Sequence, residues 1–311
     1  MVPFKSHQIA LAAGQFLSCK RKCRLLGCAL AIAPALSAPA AAHSSLGDAS
    51  LAEIGDDAPD SVHDDTWLSV GIAGAVLPSY EGSDDVKVTP VPLVQGKIGP
   101  VRINPRPAGI ALDFVPKTDE GLQFSGGINM RYRGNRTGGV GDEVVARARQ
   151  LDSALEIGPT FGVSMPGLIN PYDSLTVNFD TRWDVLGAHN GFAFEPAATY
   201  FTPLSRGAAA SLTVGAKIVD DDFADYYFSV DAADAAATGL PVFEAEGGLK
   251  NLNSTLLIGF DLGGDFNDGG AAVFVAGGYA RFFGDAADTP FTSIRGSADQ
   301  FVGAVGIGYT F

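Results

Sequence analysis

The sequence predicts an all-β fold, a closed antiparallel transmembrane β-barrel of about twelve strands. From Trp67 onward, apolar residues recur at every second position, in runs of about ten to thirteen residues. Strands of soluble proteins are commonly about six residues long, whereas a tilted strand that crosses a bilayer needs about nine to eleven. The second face of these runs carries charges of both signs among Gly, Ser and Thr, as expected of a polar lumen. Because an open sheet edge in hydrocarbon leaves backbone groups unpaired, we expect the sheet to close.

The first 42 residues have the pattern of a secretory signal peptide. A basic run at 20–24 precedes the apolar run 25–36, and small residues continue to Ala42. We expect cleavage after Ala42, with Ala38 as the second choice. The 3 cysteines of the chain, Cys19, Cys23 and Cys28, lie in this segment, so we expect the exported protein to have neither a disulfide nor a thiolate metal site.

Residues 43–65 are predicted to form a flexible acidic arm, because they carry many carboxylates and no apolar period. The barrel is then expected to span 66–311. The whole chain has 21 Lys and Arg against 35 Asp and Glu, a net charge of −14. Such an acidic chain does not favour contact with phosphate backbones, so no nucleic-acid partner is expected.

Twelve strands can be assigned in order along the chain. They are predicted at 66–77, 88–95, 100–105, 108–116, 121–133, 152–165, 173–185, 191–202, 207–219, 249–263, 269–283 and 299–311. The long polar links 134–151, 220–248 and 284–298 all follow odd-numbered strands, and long loops at one end with short turns at the other are typical of outer-membrane barrels. Prolines are unusual inside a ladder, and the segment 88–116 contains Pro90, Pro92, Pro100, Pro105 and Pro107, so a count of ten remains an alternative.

The alternation predicts a cluster of charges in the lumen: Arg131, Arg133, Glu156, Asp180, Arg182, Asp184, Glu195 and Lys217. This cluster has two interpretations. It lines a path for small polar solutes, or its charges pair and fill a narrow barrel. Twelve strands lie between the filled barrels of eight and the open barrels of sixteen, which leaves both interpretations open and favours the filled lumen. Aromatic residues near strand ends are expected to form interfacial girdles: Trp67, Tyr132, Trp183, Tyr200, Phe283, Tyr309 and Phe311.

Enzyme chemistry finds little support. The segment 162–166 lacks the final Gly of a nucleophile elbow, and neither His43, His63 nor His189 lies in a predicted strand beside a Ser. The acidic run 220–222 with Asp225 is interpreted as a solvated loop in preference to a cation site. We therefore predict a protein that is not an enzyme and has no metal or other cofactor.

Several short motifs follow one another in a recognisable order. They are Tyr80-Glu81-Gly82-Ser83, the Pro90/Pro92 segment, Tyr226-Tyr227-Phe228, Gly239-Leu240-Pro241, Glu246-Gly247-Gly248 and the closing run Gly306-Ile307-Gly308-Tyr309-Thr310-Phe311. With them, residues 66–311 resemble the MipA/OmpV family of outer-membrane proteins. The terminal residues Val305, Ile307, Tyr309 and Phe311 resemble the end that such barrels present to the barrel-assembly machinery.

The resemblance implies location in the outer membrane, with lipid and lipopolysaccharide as surroundings. For the best-known member of the family it implies a scaffold that joins a lytic transglycosylase to a penicillin-binding protein during peptidoglycan remodelling. The alternative function is a small channel for polar solutes through the charged lumen. The loop at 80–83 is either a contact motif or a turn-rich link between strands, and the link is favoured because Gly82 suits a positive φ.

Overall fold

A computed structural model describes residues 61–117 and 121–311. The predicted signal segment 1–42 and the part of the arm at 43–60 lie outside the described residues. Twelve antiparallel strands form one closed barrel. Their bounds are β1 Trp67–Pro78, β2 Val86–Ile98, β3 Val101–Arg106, β4 Gly109–Asp113, β5 Gln123–Arg133, β6 Ala154–Pro166, β7 Ser174–Asp184, β8 Phe192–Ser205, β9 Ala208–Val219, β10 Gly248–Asp261, β11 Gly270–Phe282 and β12 Asp299–Thr310.

Each strand pairs with its neighbours along the chain, and β12 returns to pair with β1 from Ser69↔Thr310 to Val76↔Gly303. The predicted twelve-stranded barrel is confirmed, and the ten-strand alternative is wrong. Strand ends differ from the predicted ones by a few residues; β2 is longer than the predicted 88–95, and β4 is shorter than the predicted 108–116. The even number of strands brings both barrel termini to one end, which we call the terminal rim.

The outer surface of the barrel is apolar. Large apolar side chains stand on it with much of their surface uncovered, among them Ile72, Phe161 at 61% exposure, Leu256 and Ile307. A soluble sheet would bury such residues, whereas a barrel that faces lipid presents them outward. Within the described residues, no helix has the length and apolarity required to span a membrane.

The prolines of the segment 88–116 mark an irregularity in the wall. In the described strands, β2 pairs with β3 only at Gly96↔Ile103, Lys97↔Arg102 and Ile98↔Val101, although β2 continues to Val86 beside β1. The hairpin of β3 and β4 is short and turns back at Pro107 and Ala108. We call the unpaired stretch between β2 and this hairpin the seam.

The end opposite the terminal rim is closed by a structure that we call the cap, formed by the connections 79–85, 134–153, 220–247 and 283–298. It contains the short helices α1 Asp221–Phe228, α2 Ala232–Thr238, α3 Asp285–Asp288 and α4 Pro290–Ser293. Capping side chains begin the first two, because Asp220 accepts the N–H of Phe223 and Asp231 accepts that of Asp234. Two apolar cores hold the cap together, one around Phe223, Tyr227 and Phe228 and the other around Tyr80, Val230 and Phe291.

The connections at the terminal rim have between two and nine residues and are shorter than the long connections that form the cap. The part of the predicted arm that the structure describes, residues 61–65, lies against the turn between β10 and β11. The backbone N–H of Val62 donates to the carbonyl of Asn267 at 2.9 Å, and the ring of His63 meets that of Trp67 edge to face.

Candidate functional site

The lumen beneath the cap is filled by charged side chains and one histidine, which contact one another. Nine of the eleven come from β3 and from β5 to β10, one comes from the cap, and one comes from the connection between β7 and β8. Their side chains are at most 6% exposed. We call this set the lumen network: Glu81, Arg106, Arg131, Arg133, Glu156, Asp180, Arg182, His189, Glu195, Lys217 and Lys250.

Arg133 is the centre of the part of the network next to the cap. Its Nη1 lies 2.6 Å from Oε1 of Glu81, and its Nε lies 2.6 Å from Oε1 of Glu156. The second oxygen of Glu81 lies 2.7 Å from Nζ of Lys250. Nε2 of His189 lies 3.3 Å from Oε1 of Glu156. Oε2 of Glu156 also lies 3.5 Å from Nε of Arg182. Each of the two carboxylates therefore neutralises cations from two strands, which is how a buried charge is stabilised.

Glu195 is the centre of the next part of the network. Its two oxygens lie 2.6 Å from Nη2 of Arg182, 2.8 Å from Nη1 of Arg131 and 3.2 Å from Nζ of Lys217. Arg182 continues the network, with its Nη1 at 3.4 Å from Oδ2 of Asp180. The same oxygen of Asp180 lies 2.9 Å from Nε of Arg106, which reaches across from the short β3 hairpin. The network thus crosses the lumen from one wall to the other.

Helix α1 covers the network with an aromatic ring. The ring of Phe223 lies 5.0 Å from the guanidinium of Arg133 and 4.8 Å from Nζ of Lys217. Lys250 also lies 5.0 Å from the ring of Phe282. Cation–π contacts of this kind favour a charge that has left water. The cap and the network consequently pack as one unit.

Glu81 belongs to the cap, and its environment fixes its ionisation. Burial alone raises the pKa of a carboxyl group, but the nearby cations Lys250 and Arg133 outweigh burial and lower the pKa of Glu81 to about 2. In the same loop, burial and the charge of Asp142 raise the pKa of the Tyr80 hydroxyl above its usual value. Glu81 is therefore an anion, and Tyr80 a neutral donor, at any physiological pH.

The structure places most of the sequence-predicted charges together. Arg131, Arg133, Glu156, Asp180, Arg182, Glu195 and Lys217 all belong to the lumen network. Asp184 lies apart from it, because its carboxylate accepts the backbone N–H groups of Leu186, His189 and Asn190 at the end of β7.

The loop at 80–83 is buried inside the cap. The Tyr80 hydroxyl donates to the carbonyls of Phe291 and Arg295, both at 3.0 Å. Gly82 has φ +96°, and a Cβ there would meet the side chain of Thr292. The Ser83 and Ser79 hydroxyls lie 3.0 Å apart. The loop links β1 to β2, and through Glu81 it also enters the lumen network. The terminal residues Val305, Ile307, Tyr309 and Phe311 all face outward on or after β12.

Sequence reasoning missed four members of the network. Glu81 and His189 come from connections, where no alternation shows which way a side chain faces. Arg106 lies in β3, and its inward parity was the available signal. Lys250 lies where the register between β9 and β10 shifts, so alternation along β10 does not show which way it faces. Local sequence patterns do not show which residues form ion pairs with one another. Glu81, for example, contacts Arg133, which is 52 positions away in the chain.

The half of the lumen nearer the terminal rim differs from the half under the cap. It holds a cavity of about 1150 Å³ whose wall is mostly small or apolar, with Ala73, Leu93, Leu257 and Phe274 among the residues that line it. Trp67 also lines this cavity and is only 8% exposed. The expectation that Trp67 joins an outer aromatic girdle is therefore wrong, because its ring turns into the lumen, whereas Trp183, Phe283, Tyr309 and Phe311 do face outward.

Comparison with known proteins assigns the family. A family model described as MltA-interacting protein MipA matches residues 70–311. The chain belongs to the MipA family. This agrees with the resemblance seen in the sequence motifs, and it supports an outer-membrane barrel as the setting of the lumen network and the cap.

Individual proteins are much more distant from this MipA-family chain. No curated protein sequence matches it significantly. Solved structures that match include the toluene transporter TodX of Pseudomonas putida, with 6% identity, 81% of this chain and 90% of that chain covered, and a TM-score of 0.34. Another is the outer membrane protein OprD of Pseudomonas aeruginosa, with 10% identity, 82% and 96% coverage and a TM-score of 0.28. A third is the outer membrane channel DcaP of Acinetobacter baumannii, with 9% identity, 79% and 96% coverage and a TM-score of 0.28.

Proposed function

We propose that this outer-membrane barrel is a non-conducting interaction scaffold that holds peptidoglycan-remodelling enzymes at its periplasmic end. The observation that carries the proposal is the lumen network, whose charges neutralise one another under a packed cap. A polar pore presents its charges to mobile water, whereas here Glu195 and Glu156 are both buried among cations from several strands. The role is structural, with no catalytic step.

The partner follows from the family and from the two ends of the barrel. The family is described by its interaction with MltA, so a lytic transglycosylase is the proposed partner, together with a penicillin-binding protein. Short turns in outer-membrane barrels face the periplasm and long loops face outward. The terminal rim and the acidic arm that precedes it are therefore the proposed docking surface, while lipid and lipopolysaccharide surround the barrel and the assembly machinery recognises β12.

Conductance separates the scaffold from the channel. We expect the refolded protein to give no steady single-channel current in planar bilayers, with heat-modifiable gel migration as proof that the barrel is folded. A reproducible current that Arg182→Ala alters would establish the channel and remove the main support for the scaffold.

A pull-down tests the partner. Tagged protein from detergent extracts is expected to retain a lytic transglycosylase, and the substitution Arg206→Glu on the exposed β8–β9 turn of the terminal rim is expected to weaken this retention. The matched control is Ala237→Glu on the exposed surface of the cap, which should leave it unchanged. Equal recovery with both variants, or recovery no better than an unrelated barrel gives, argues against docking at the terminal rim.

A further inference from the structure

The cavity in the half of the lumen nearer the terminal rim is suited to an apolar chain. Its volume of about 1150 Å³ slightly exceeds the range of about 300–1,000 Å³ that is common for small-molecule sites. The inward faces of β1, β11 and β12 present small residues such as Ala73, Ala276 and Ala304 to it, while Leu257 and Phe274 give it apolar bulk. The apolar part of this wall is suited to contact with hydrocarbon.

The seam lies beside this cavity and is kept unpaired by its own sequence. Pro90 and Pro92 stand on the β2 side, and Pro105 and Pro107 on the side of the β3 hairpin. A proline has no N–H, so it cannot donate across a ladder and occurs at sheet edges. Unpaired backbone in a bilayer is costly, which means that a seam flanked by two prolines on each side needs a reason to persist.

The seam connects the lipid surface with the cavity. On its outer side, Val88 of β2 is 77% exposed and belongs to the apolar surface of the barrel. On its inner side, Val91, Leu93, Pro105 and Pro107 line the cavity. The bilayer and the cavity are therefore separated here by a stretch of wall in which β2 and β3 form no hydrogen bonds.

Two cations stand at the base of the seam, where its strands begin to pair. Lys97 and Arg102 lie directly opposite each other in the β2–β3 register, and both line the cavity. Like charges opposite each other destabilise a strand pair. The carboxylate paired with Arg102, that of Asp113, is 4.0 Å away, and Nζ of Lys97 donates to the backbone carbonyl of Asp64. An anion held between the two would turn this repulsion into attraction.

We propose that the cavity binds the chain of a single-chain anionic amphiphile, with its carboxylate at Lys97 and Arg102, and that the seam admits it from the bilayer. The chemical class is that of a long-chain fatty acid. The site does not rest on the scaffold role, although Ser61, His63 and Arg206 of the arm and the terminal rim also line the cavity.

Trp67 provides a direct readout, because it lines the cavity while the other of the 2 tryptophans, Trp183, faces outward. In a Trp183→Phe background in lipid nanodiscs, dibromostearic acid is expected to quench Trp67 fluorescence saturably. Phosphatidylcholine with brominated chains should not quench it, as a two-chain lipid remains outside. The methyl ester of the same acid, or the acid with the Lys97→Gln/Arg102→Gln variant, should bind about tenfold more weakly.

A matched pair of variants controls for non-specific effects. Ala276→Phe fills the cavity and should abolish saturable quenching, whereas Ala271→Phe places the same ring outward on the same strand and should not. If gel migration shows that Ala276→Phe does not fold, the comparison of the acid with its methyl ester still tests the proposed binding site. Quenching by the two-chain lipid that equals that of the acid, or acid and ester of equal affinity, would overturn the proposal.

The route is tested by obstructing the seam. In a background with Cys19, Cys23 and Cys28 replaced by Ser, Pro92→Cys on the outer side of the seam is labelled with a bulky maleimide, and Val305→Cys on the outer face of β12 is the control. Fatty acid supplied within the lipid should reach Trp67 more slowly only in the labelled Pro92→Cys protein. If labelling of Pro92→Cys leaves the quenching rate unchanged, and fatty acid added from solution binds equally well, the acid enters through the terminal rim and the seam is not its route.

Discussion

At the scale of single residues, Glu81 joins the cap to the barrel wall. Its two oxygens contact Arg133 of β5 and Lys250 of β10, so one carboxylate connects the β1–β2 connection with two distant strands. Removing one partner of a buried ion pair leaves an uncompensated charge, which typically costs about 3–5 kcal/mol. Glu81 is therefore the residue through which the attachment of the cap can be measured.

The pH dependence of stability follows from the low pKa of Glu81. Its pKa is lowered from 4.5 to about 2, so its ionised form stabilises the folded state above pH 4.5, and this contribution is lost as the pH falls from 4.5 through 2. We expect the free energy of unfolding in urea to fall by about 3 kcal/mol over this range because of Glu81. Glu81→Gln should lower stability at pH 7 and flatten this part of the pH profile.

Glu143→Gln serves as the control, because Glu143 also lies in the cap but is exposed. It should change neither the stability at pH 7 nor the profile. If the Glu81→Gln protein keeps the wild-type dependence of stability on pH, other carboxylates cause the acid sensitivity.

The residue scale also shows what sequence alone can predict. Alternation along β5 to β9 placed Arg131, Arg133, Glu156, Arg182 and Glu195 on one face, because parity in a strand is a local property. Whether those charges line water or pair with one another depends on the diameter of the barrel and on what the cap contributes. Glu81 could not be predicted as their partner, since it comes from a connection and its contacts are long-range.

At the scale of elements, β7 tests whether the barrel wall faces lipid. Phe179 lies in the middle of Ser174–Asp184, and its ring is 42% exposed on the outer face. Phe179→Arg should lower the free energy of unfolding in bilayers by about 2–4 kcal/mol, whereas Leu186→Arg, just beyond the strand, should cost about 0–1 kcal/mol. The measurement is urea unfolding of the refolded protein in vesicles.

The two substitutions also show what is expected if β7 faces water. A wall that faces water gains a solvated charge at Phe179 and loses an exposed aromatic ring, so its stability would hardly change. Equal effects of the two substitutions would therefore contradict a lipid-facing β7.

Strands and helices of this chain differ in how well their sequences predict them. Twelve strands follow from a repeat that runs for ten residues or more, and even the proline-rich β2 and β3 could be assigned. The four cap helices have 8, 7, 4 and 4 residues, too short for a helical period to stand out. Helices of this length form because they pack and are capped, as α1 does through Phe223 and Asp220, and so the links 220–248 and 284–298 gave no sign of them.

At the scale of the whole molecule, the two ends of the barrel should lie on opposite sides of the outer membrane. With the native cysteines replaced by Ser, Ala237→Cys in the cap should react with a membrane-impermeant maleimide on intact cells. Ser205→Cys at the terminal rim should react only after permeabilisation. Both positions are exposed, so differences in burial do not explain the result. Labelling in the reverse order would invert the orientation and move the proposed docking surface to the cap.

Closure of the barrel imposes a demand on folding. The hydroxyls of Ser69 and Thr310 that meet across β1 and β12 are 241 positions apart in the chain, and the entropy lost in bringing ends together grows with this separation. Until those strands meet, the sheet has two open edges, which are templates for aggregation. The two closing strands, β1 and β12, also lie close together at Gly71, because a Cβ there would lie 2.6 Å from the carbonyl oxygen of Ile307. A side chain at Gly71 would consequently act first on the rate of assembly, by keeping the unfinished sheet open for longer.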